Sequence, residues 1–235
     1  MKRFAPSCVV LLLVAAVEGR PGPGQSQTSG AVQTPPAVQT PPAPQRQRPP
    51  QPPLDPMQWR IDRSHSQANF SVRHNVVSTV RGQLGPISGT IDYDGKDVRS
   101  ITADVSIDVT QINTQNQNRD AHLRRDDFFN TEQFPSMTFK STRVEPVSDG
   151  RFRLIGELTI RDKTHEVVLE VEGPSPIVKG PRGVLTGATA TTKISRKAFN
   201  VLWNNMIEMM PVVGDEVTVT IDLELNRPAM PGAPQ

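Results

Sequence analysis

The segment from Ile101 to Val109 alternates apolar and polar side chains at every position. Successive side chains of a β-strand point to opposite sides of the sheet, so a period of two is typical of a strand with one buried face. The segment from Val217 to Leu225 repeats the pattern near the other end of the chain. The sequence therefore predicts a sheet with one face of aliphatic side chains and one face of polar side chains.

Similar patterns recur at the spacing expected of an all-β sandwich or barrel. Helices and strands do not alternate, which argues against a parallel sheet as the main architecture. About eight strands closed on themselves form an antiparallel barrel that is either filled by side chains or holds one small ligand. The predicted strands are 59–62, 68–74, 80–87, 88–93, 98–109, 137–147, 151–160, 165–172, 184–195 and 216–225.

The composition does not decide whether side chains fill the interior of this barrel. Aromatic residues make up only 5% of the chain, and the predicted inward positions are mostly Val, Ile, Leu, Ala, Ser and Gly, which favours an incompletely filled interior. Aliphatic side chains alone can also pack a core to full density. A charged segment, 119–129, ends in the pair Phe128 and Phe129 and predicts a short helical cap beside the barrel.

The N-terminus predicts an export signal over residues 1–19. Lys2 and Arg3 precede an apolar run from Cys8 to Val17, which is too short to cross a bilayer as a helix. Cleavage would remove Cys8, which is the only cysteine, so disulfides and thiolate metal sites are not expected in the mature protein. We therefore expect an exported or secreted protein whose signal peptide is cleaved.

Residues 20–56 are rich in Pro and Gln and predict a disordered linker, and residues 228–235 predict a disordered tail. The leader and linker hold five Lys or Arg against two Asp or Glu, which leaves 21 basic and 22 acidic side chains of the chain's 26 and 24 for the rest. Nucleic-acid binding is not expected of a part with this balance. The predicted folded domain is 57–227.

The order and spacing of short motifs in this domain resemble the YceI-like family across 57–226. The resemblance implies an extended lipocalin-like antiparallel β-barrel of the bacterial periplasm that sequesters a polyisoprenoid or a similar amphiphile, such as an isoprenoid quinone-like lipid, with no other cofactor. The motifs that carry it are Ile61-Asp62 with His65-Ser66, Phe70-Ser71-Val72 with His74, Arg119-Asp120 with His122-Leu123, Asp127-Phe128-Phe129, Phe134-Pro135 with Phe139-Lys140-Ser141-Thr142, Gly156-Glu157-Leu158-Thr159-Ile160, Ile194-Ser195-Arg196 and Val213-Gly214-Asp215-Glu216-Val217.

Given this resemblance, the inward apolar positions become candidate lipid contacts. They are Phe70, Val72, Ile101, Ala103, Val105, Ile107 and Phe139, with Phe128 and Phe129 at the mouth and Trp203 at a second mouth. Candidate head-group or cap residues are His65, Arg119 and His122. Apolar positions from Phe199 to Met210 fall at helical spacing, which predicts either a movable flap or a short helix or loop packed against the barrel wall.

Two other functions stay open, and each has its own sequence basis. A filled barrel would be an interaction module that binds another protein by its surface. A His/Asp-based metal or acid/base site would draw on the four histidines with Asp62, Asp120 or Asp126, and His122 and Asp126 are four residues apart. No nucleophile, zinc-protease or phosphate-loop motif is present, so we predict no catalytic and no metal-binding residues.

Partners and local pairs complete the expectations. We expect an amphiphilic lipid ligand and transient membrane contact, and a homodimer is left open. Asp120 and Arg124 are predicted to form a solvated helix pair, and Arg119 is predicted to pair with a carboxylate if it braces the fold.

Overall fold

The computed structural model describes Asp55 and residues 57–180, 183–204, 206–207 and 210–228. The predicted signal peptide, almost all of the predicted linker and most of the predicted tail lie outside these residues. Within the described part of the chain, there is no helix with the length and hydrophobicity needed to cross a bilayer.

The described chain consists of thirteen strands, one α-helix and three short 3-10 turns. The helix α1 is Gln117–Leu123. The strands are β1 Gln58–Ile61, β2 Gln67–His74, β3 Ser78–Gly85, β4 Ile87–Asp92, β5 Thr102–Asp108, β6 Ser136–Ser148, β7 Arg151–Ile160, β8 Lys163–Glu172, β9 Val178–Gly180, β10 Gly183–Ser195, β11 Met206–Ile207, β12 Met210–Pro211 and β13 Val213–Arg227.

Eight of these strands close into a barrel in the order β1, β4, β5, β6, β7, β8, β10 and β13. Every pairing is antiparallel, and the ring is closed by β10 and β13, which pair from Val184↔Arg227 to Ser195↔Glu216, and by β13 with β1. The hairpin of β2 and β3 extends the wall, because β2 pairs with β13 from Val213 to Asp222. The predicted antiparallel lipocalin-like barrel with a short helical cap is confirmed.

The barrel follows from the alternation of the sequence. In β5, Ala103 and Ile107 are buried, whereas Thr102 and Asp104 are exposed. In β7, Phe152, Leu154, Leu158 and Ile160 are buried in the same way. Full burial of one Val, Leu, Ile or Phe side chain contributes about 1.5–3 kcal/mol, so a lining built from all eight strands dominates stability.

A bend between β3 and β4 shapes one side of the wall. Gly85 has φ +144, and a Cβ there would collide with the backbone carbonyl oxygen of Asp108. Pro86 cannot donate to a ladder, and its carbonyl accepts a hydrogen bond from the N–H of Asp108 at 3.1 Å. The chain thus leaves the β2 pairing at Gly85 and pairs with β5 from Ile87 and with β1 from Thr90.

The predicted Asp120–Arg124 surface pair is wrong. Asp120 is only 8% exposed, and its carboxylate accepts hydrogen bonds from the N–H and the hydroxyl of Thr114. Arg124 donates instead to the carbonyl of Ile112, at 3.4 Å. The chain before α1 folds back along the helix, so Thr114 covers Asp120 and withdraws it from solvent.

Arg119 has a different partner from the one predicted. Its guanidinium donates to the hydroxyl and the carbonyl of Thr114, at 2.7 and 2.9 Å, rather than to a carboxylate. The side chain of Asn116 accepts from the N–H of Arg119 and caps the helix. These contacts fix the cap to the segment that precedes it.

Candidate functional site

The barrel and its cap enclose two adjoining apolar cavities. The barrel cavity, of about 110 Å³, lies among β4 to β8, β10 and β13. The cap cavity, of about 380 Å³, lies between the barrel wall, α1 and the 201–203 segment. Met137, Ile194 and Val219 line both cavities, so the two spaces share a boundary.

The barrel cavity is narrow and almost wholly apolar. Its lining is aliphatic apart from a few aromatic rings, including those of Phe139 and Phe152, and small polar groups such as Thr186. An apolar cavity of about 150 Å³ stays dry and admits benzene. The barrel cavity is smaller, so in this arrangement of side chains it suits only the slim end of a hydrocarbon chain.

The cap cavity is larger and amphiphilic. Its volume falls within the range of about 300–1,000 Å³ that is usual for small-molecule sites. Phe70, Leu84 and Phe129 give it an apolar wall. Polar side chains also reach it, and they are Arg73, His74, Asn118, Arg119, His122 and Arg196. An amphiphile can therefore place its tail on the apolar wall and its head near α1.

His122 is held in a fixed orientation at this cavity. Its ring packs edge-on against Phe128 and Trp203, with centroid distances of 4.9 and 5.0 Å and interplanar angles of 83° and 86°. This is a preferred aromatic geometry. Its Nε2 lies 2.8 Å from Oδ2 of Asp127. The partner is thus Asp127 and not Asp126, because α1 ends at Leu123 and helical i, i+4 spacing no longer applies beyond it.

Arg196 holds the segment that carries Trp203. Arg196 is 5% exposed, and its guanidinium donates hydrogen bonds of 2.6–3.2 Å to the backbone carbonyls of Val201, Trp203, Val213 and Gly214. Burial lowers the pKa of Arg196, and the negative charge of Asp215 acts in the opposite direction. A second arginine, Arg161, donates to the carbonyls of Phe128 and Asn200, at 2.9 and 2.8 Å.

Among the described residues between Phe199 and Met210 the structure shows no α-helix, so of the predicted helix or loop it is the loop that these residues form. A 3-10 turn, Lys197–Phe199, is followed by residues 200–204, which form no strand, and by the two-residue strands β11 and β12. Arg196 donates to backbone carbonyls that would otherwise accept the hydrogen bonds of a helix. The side-chain amide of Asn204 hydrogen-bonds with both the N–H and the carbonyl of Val213. Val201 is buried, whereas Leu202 is exposed.

The predicted lipid contacts divide between the two cavities. Those at the barrel cavity are Ile101, Ala103, Val105, Ile107 and Phe139. Those at the cap cavity are Phe70, Val72, Phe128, Phe129 and Trp203, together with the head-group candidates Arg119 and His122. Their roles as ligand contacts stay predictions.

His65 lies elsewhere, at the outer surface. It is beside Asp62 and Glu224 and lines neither cavity. His165 contacts the carbonyl of Ala198 through Nε2, at 2.9 Å, and packs edge-on against Phe199. Sequence reasoning gave no role to Asp127, Arg161 or Arg196. The motif Ile194-Ser195-Arg196 was the one available signal for Arg196.

Comparison with known proteins finds a matching family model and relatives of similar sequence. The YceI-like domain matches residues 59–225. A UPF0312 protein of Staphylococcus epidermidis is 32% identical over 153 residues, which cover 64% of this chain and 86% of that protein. A UPF0312 protein of Staphylococcus aureus is 31% identical over 149 residues, covering 63% and 84%.

Solved structures share the fold. A YceI protein of Campylobacter jejuni is 29% identical, with a TM-score of 0.56, and the match covers 64% of this chain and 87% of that one. BcnA of Burkholderia cenocepacia has a TM-score of 0.59 at 21% identity, covering 70% and 98%. A domain of Saccharophagus degradans, described as polyisoprenoid binding, has a TM-score of 0.53 at 17% identity, covering 72% and 98%. At 21% and 17% identity, the last two show the fold alone.

Replacing Arg196 tests its role at the site. We expect Arg196→Met to lower the free energy of unfolding by about 2–4 kcal/mol, because several backbone carbonyls lose their donor. Trp203 should also become more exposed, which urea unfolding and tryptophan emission will measure. The control is Lys197→Met, an exposed neighbour, which should change stability by less than about 0.5 kcal/mol. Equal stability of the two variants would contradict this role.

Proposed function

The chain belongs to the YceI-like family, and on that basis we propose that it is a binding protein for an amphiphilic lipid of the polyisoprenoid class. The tail lies along the cap cavity and enters the barrel cavity, and the polar head lies near α1. The observation that carries the proposal is the pair of adjoining cavities, one apolar and narrow and the other with an apolar wall and a polar side. The Saccharophagus degradans domain supports it through its fold.

The head-group end is assigned from the polar groups of the cap cavity. Arg119 and His122 come from α1 and line this cavity. Asp127 and the aromatic rings fix the imidazole, so His122 meets a ligand with little loss of side-chain entropy. A hydroxyl, a quinone carbonyl or a phosphate fits this set of donors.

The energetics favour an exchanging carrier. Burial of a hydrocarbon tail gains about 0.8 kcal/mol per methylene relative to water. In a cell the competing site is a bilayer, where the tail is already out of water, so this gain nearly cancels. Shape fit and head-group contacts then decide occupancy, and the ligand can pass between protein and membrane.

Contact with a membrane is assigned to the tip of the β2–β3 hairpin. Val76 and Val77 are 55% and 81% exposed. Val76 has φ 62, a costly conformation for a β-branched residue. Arg73, which lines the cap cavity, donates to the carbonyl of Val76 and so holds the tip. The N–H of Asn75 bonds the carbonyl of Val212, another cap-cavity residue, at 2.8 Å. The apolar tip therefore adjoins the cavity that it would serve.

The proposed location rests on the sequence alone. From the predicted export signal and its cleavage we propose a periplasmic or secreted protein, in which residues 20–56 would serve as a spacer for the domain. These assignments, like the domain bounds and a homodimer, remain predictions.

A filled-barrel interaction module is the second candidate, and the small volume of the barrel cavity favours it. Its surface rather than its interior would then meet the partner. The two candidates differ in whether filling the barrel cavity affects the binding of a long-chain lipid.

Ala103→Phe tests where the tail lies. Ala103 is 6% exposed and lines the barrel cavity, so phenylalanine there should fill the space. We expect at least about tenfold weaker binding of a quinone with four prenyl units, since tenfold corresponds to the loss of only about two buried methylenes. A quinone with two units should bind nearly as before in the cap cavity. Quenching of tryptophan emission measures both titrations.

The control for this titration is Ala121→Phe, which adds the same ring on the exposed side of α1 and should bind both quinones normally. Saturable binding of the long quinone that Ala103→Phe leaves unchanged would overturn the placement. No saturable binding of either quinone by the unmodified protein would favour the interaction module.

Val76→Asp with Val77→Asp tests the membrane contact. The charges should slow the transfer of a prenylated quinone between vesicles at least fivefold, because desolvating a carboxylate at a bilayer is costly. Equilibrium binding to the protein should stay the same. Val147→Asp is the control, since this valine is also 55% exposed but lies in the β6–β7 hairpin. Equal transfer rates for all three proteins would contradict the assignment.

A further inference from the structure

Asp62, His65 and Glu224 meet on the outer surface of the barrel. Asp62 follows β1, His65 lies in the turn before β2, and Glu224 projects from β13. The Nδ1 atom of His65 is 3.4 Å from Oδ1 of Asp62 and 3.5 Å from Oε1 of Glu224. One donor atom from each residue lies within 4.8 Å of the other two. Two carboxylates and one imidazole thus converge.

Both imidazole contacts lie within ion-pair distance, and their lengths also match the spacing of donor atoms around a metal ion. An N–H···O bond is about 2.7–3.2 Å long, so both imidazole contacts are too long for good hydrogen bonds. Around a tetrahedral zinc ion, bonds of about 2.0–2.2 Å place neighbouring donor atoms about 3.3–3.5 Å apart. We propose that Asp62, His65 and Glu224 bind one divalent transition-metal ion, Zn²⁺, with the fourth position open to solvent.

The backbone around the three donors is already fixed. The N–H of Asp62 donates to the carbonyl of Glu224 at 2.8 Å. The Ser66 hydroxyl accepts from the N–H of Glu224 at 3.0 Å and lies 3.3 Å from its carbonyl oxygen. Oδ1 of Asp62 accepts from the N–H groups of Ser64 and His65, at 2.8 and 3.3 Å. Metal-binding carboxylates are commonly held by such hydrogen bonds.

Charge and accessibility agree with this assignment. The exposed fractions of the side chains are 26% for Asp62, 36% for Glu224 and 65% for His65, which leaves a path for an ion from solvent. A cation also relieves the repulsion between the two carboxylates.

The donor set selects the class of metal. Calcium and magnesium prefer oxygen donors throughout, whereas imidazole suits zinc and the neighbouring transition metals. The group lines neither the cap cavity nor the barrel cavity. The proposed metal site is therefore separate from the proposed lipid site and does not depend on it.

Calorimetric titration of the chelator-stripped full chain with ZnCl₂ tests the site. We expect one zinc ion per chain, at least tenfold weaker binding for His65→Ala and for Glu224→Gln, and little response to CaCl₂. His165→Ala is the matched control, because His165 is exposed and lies away from the carboxylate pair. Zinc should also raise the melting temperature of the unmodified protein and of His165→Ala, but not that of His65→Ala.

Three results would overturn the site. They are no zinc binding at millimolar metal, an equal loss of affinity in His65→Ala and His165→Ala, and unchanged affinity in His65→Ala. The melting temperatures without metal show whether each variant is folded, so a weak titration cannot be mistaken for a folding defect.

Discussion

The antiparallel pairing of β10 with β13 is the interaction on which the rest of this structure depends. It joins the strand that follows β8 and β9 to the last strand of the chain and leaves the eight-strand ring without free edges. Closure also fixes which face of each strand points into the barrel, so the apolar side chains of the alternating pattern face one another. An eight-strand barrel has an interior just wide enough to be filled or to hold one small ligand. Whether space remains then depends on side-chain size, and inward positions such as Ala103, Ala188 and Ala190 keep the lining thin.

The cap places polar side chains on one side of an apolar cavity, which the barrel strands alone do not do. Its position is set by buried polar contacts that have no counterpart in the strand pattern. Asp120 accepts a hydrogen bond from the N–H of Thr114. Arg161 donates to the carbonyls of Phe128 and Asn200, and Arg196 donates to carbonyls at and around Trp203. Buried polar groups are costly when unpaired, so each network holds its segment in one arrangement. The cap cavity is a product of these networks, and in the proposed function they would orient an amphiphile with its head toward α1.

Alternation along the strands predicts the fold and the inward face well, because it reflects a local geometric rule. Ala103 and Ile107 were placed on the buried face from this rule alone. What failed depended on contacts between distant segments. The sequence left a short helix or a loop open between Phe199 and Met210, and the described residues form no α-helix there, because Arg196 and Asn204 bind backbone groups of this segment and of Val213. Asp127 replaced Asp126 beside His122 because the helix ends earlier than the charge pattern suggests. The division of the lining into two cavities was not predictable, and neither was the approach of Glu224 to His65, because both follow from three-dimensional closure.

The proposed function requires that the closed barrel and its cap hold a lipid. Native mass spectrometry of the purified protein, before and after extraction with organic solvent, is the direct test. We expect an extra mass on the intact chain that extraction removes and that fragments as an isoprenoid lipid. An identical mass before and after extraction, equal to that of the bare chain and unchanged after incubation with prenyl-lipid vesicles, would contradict it.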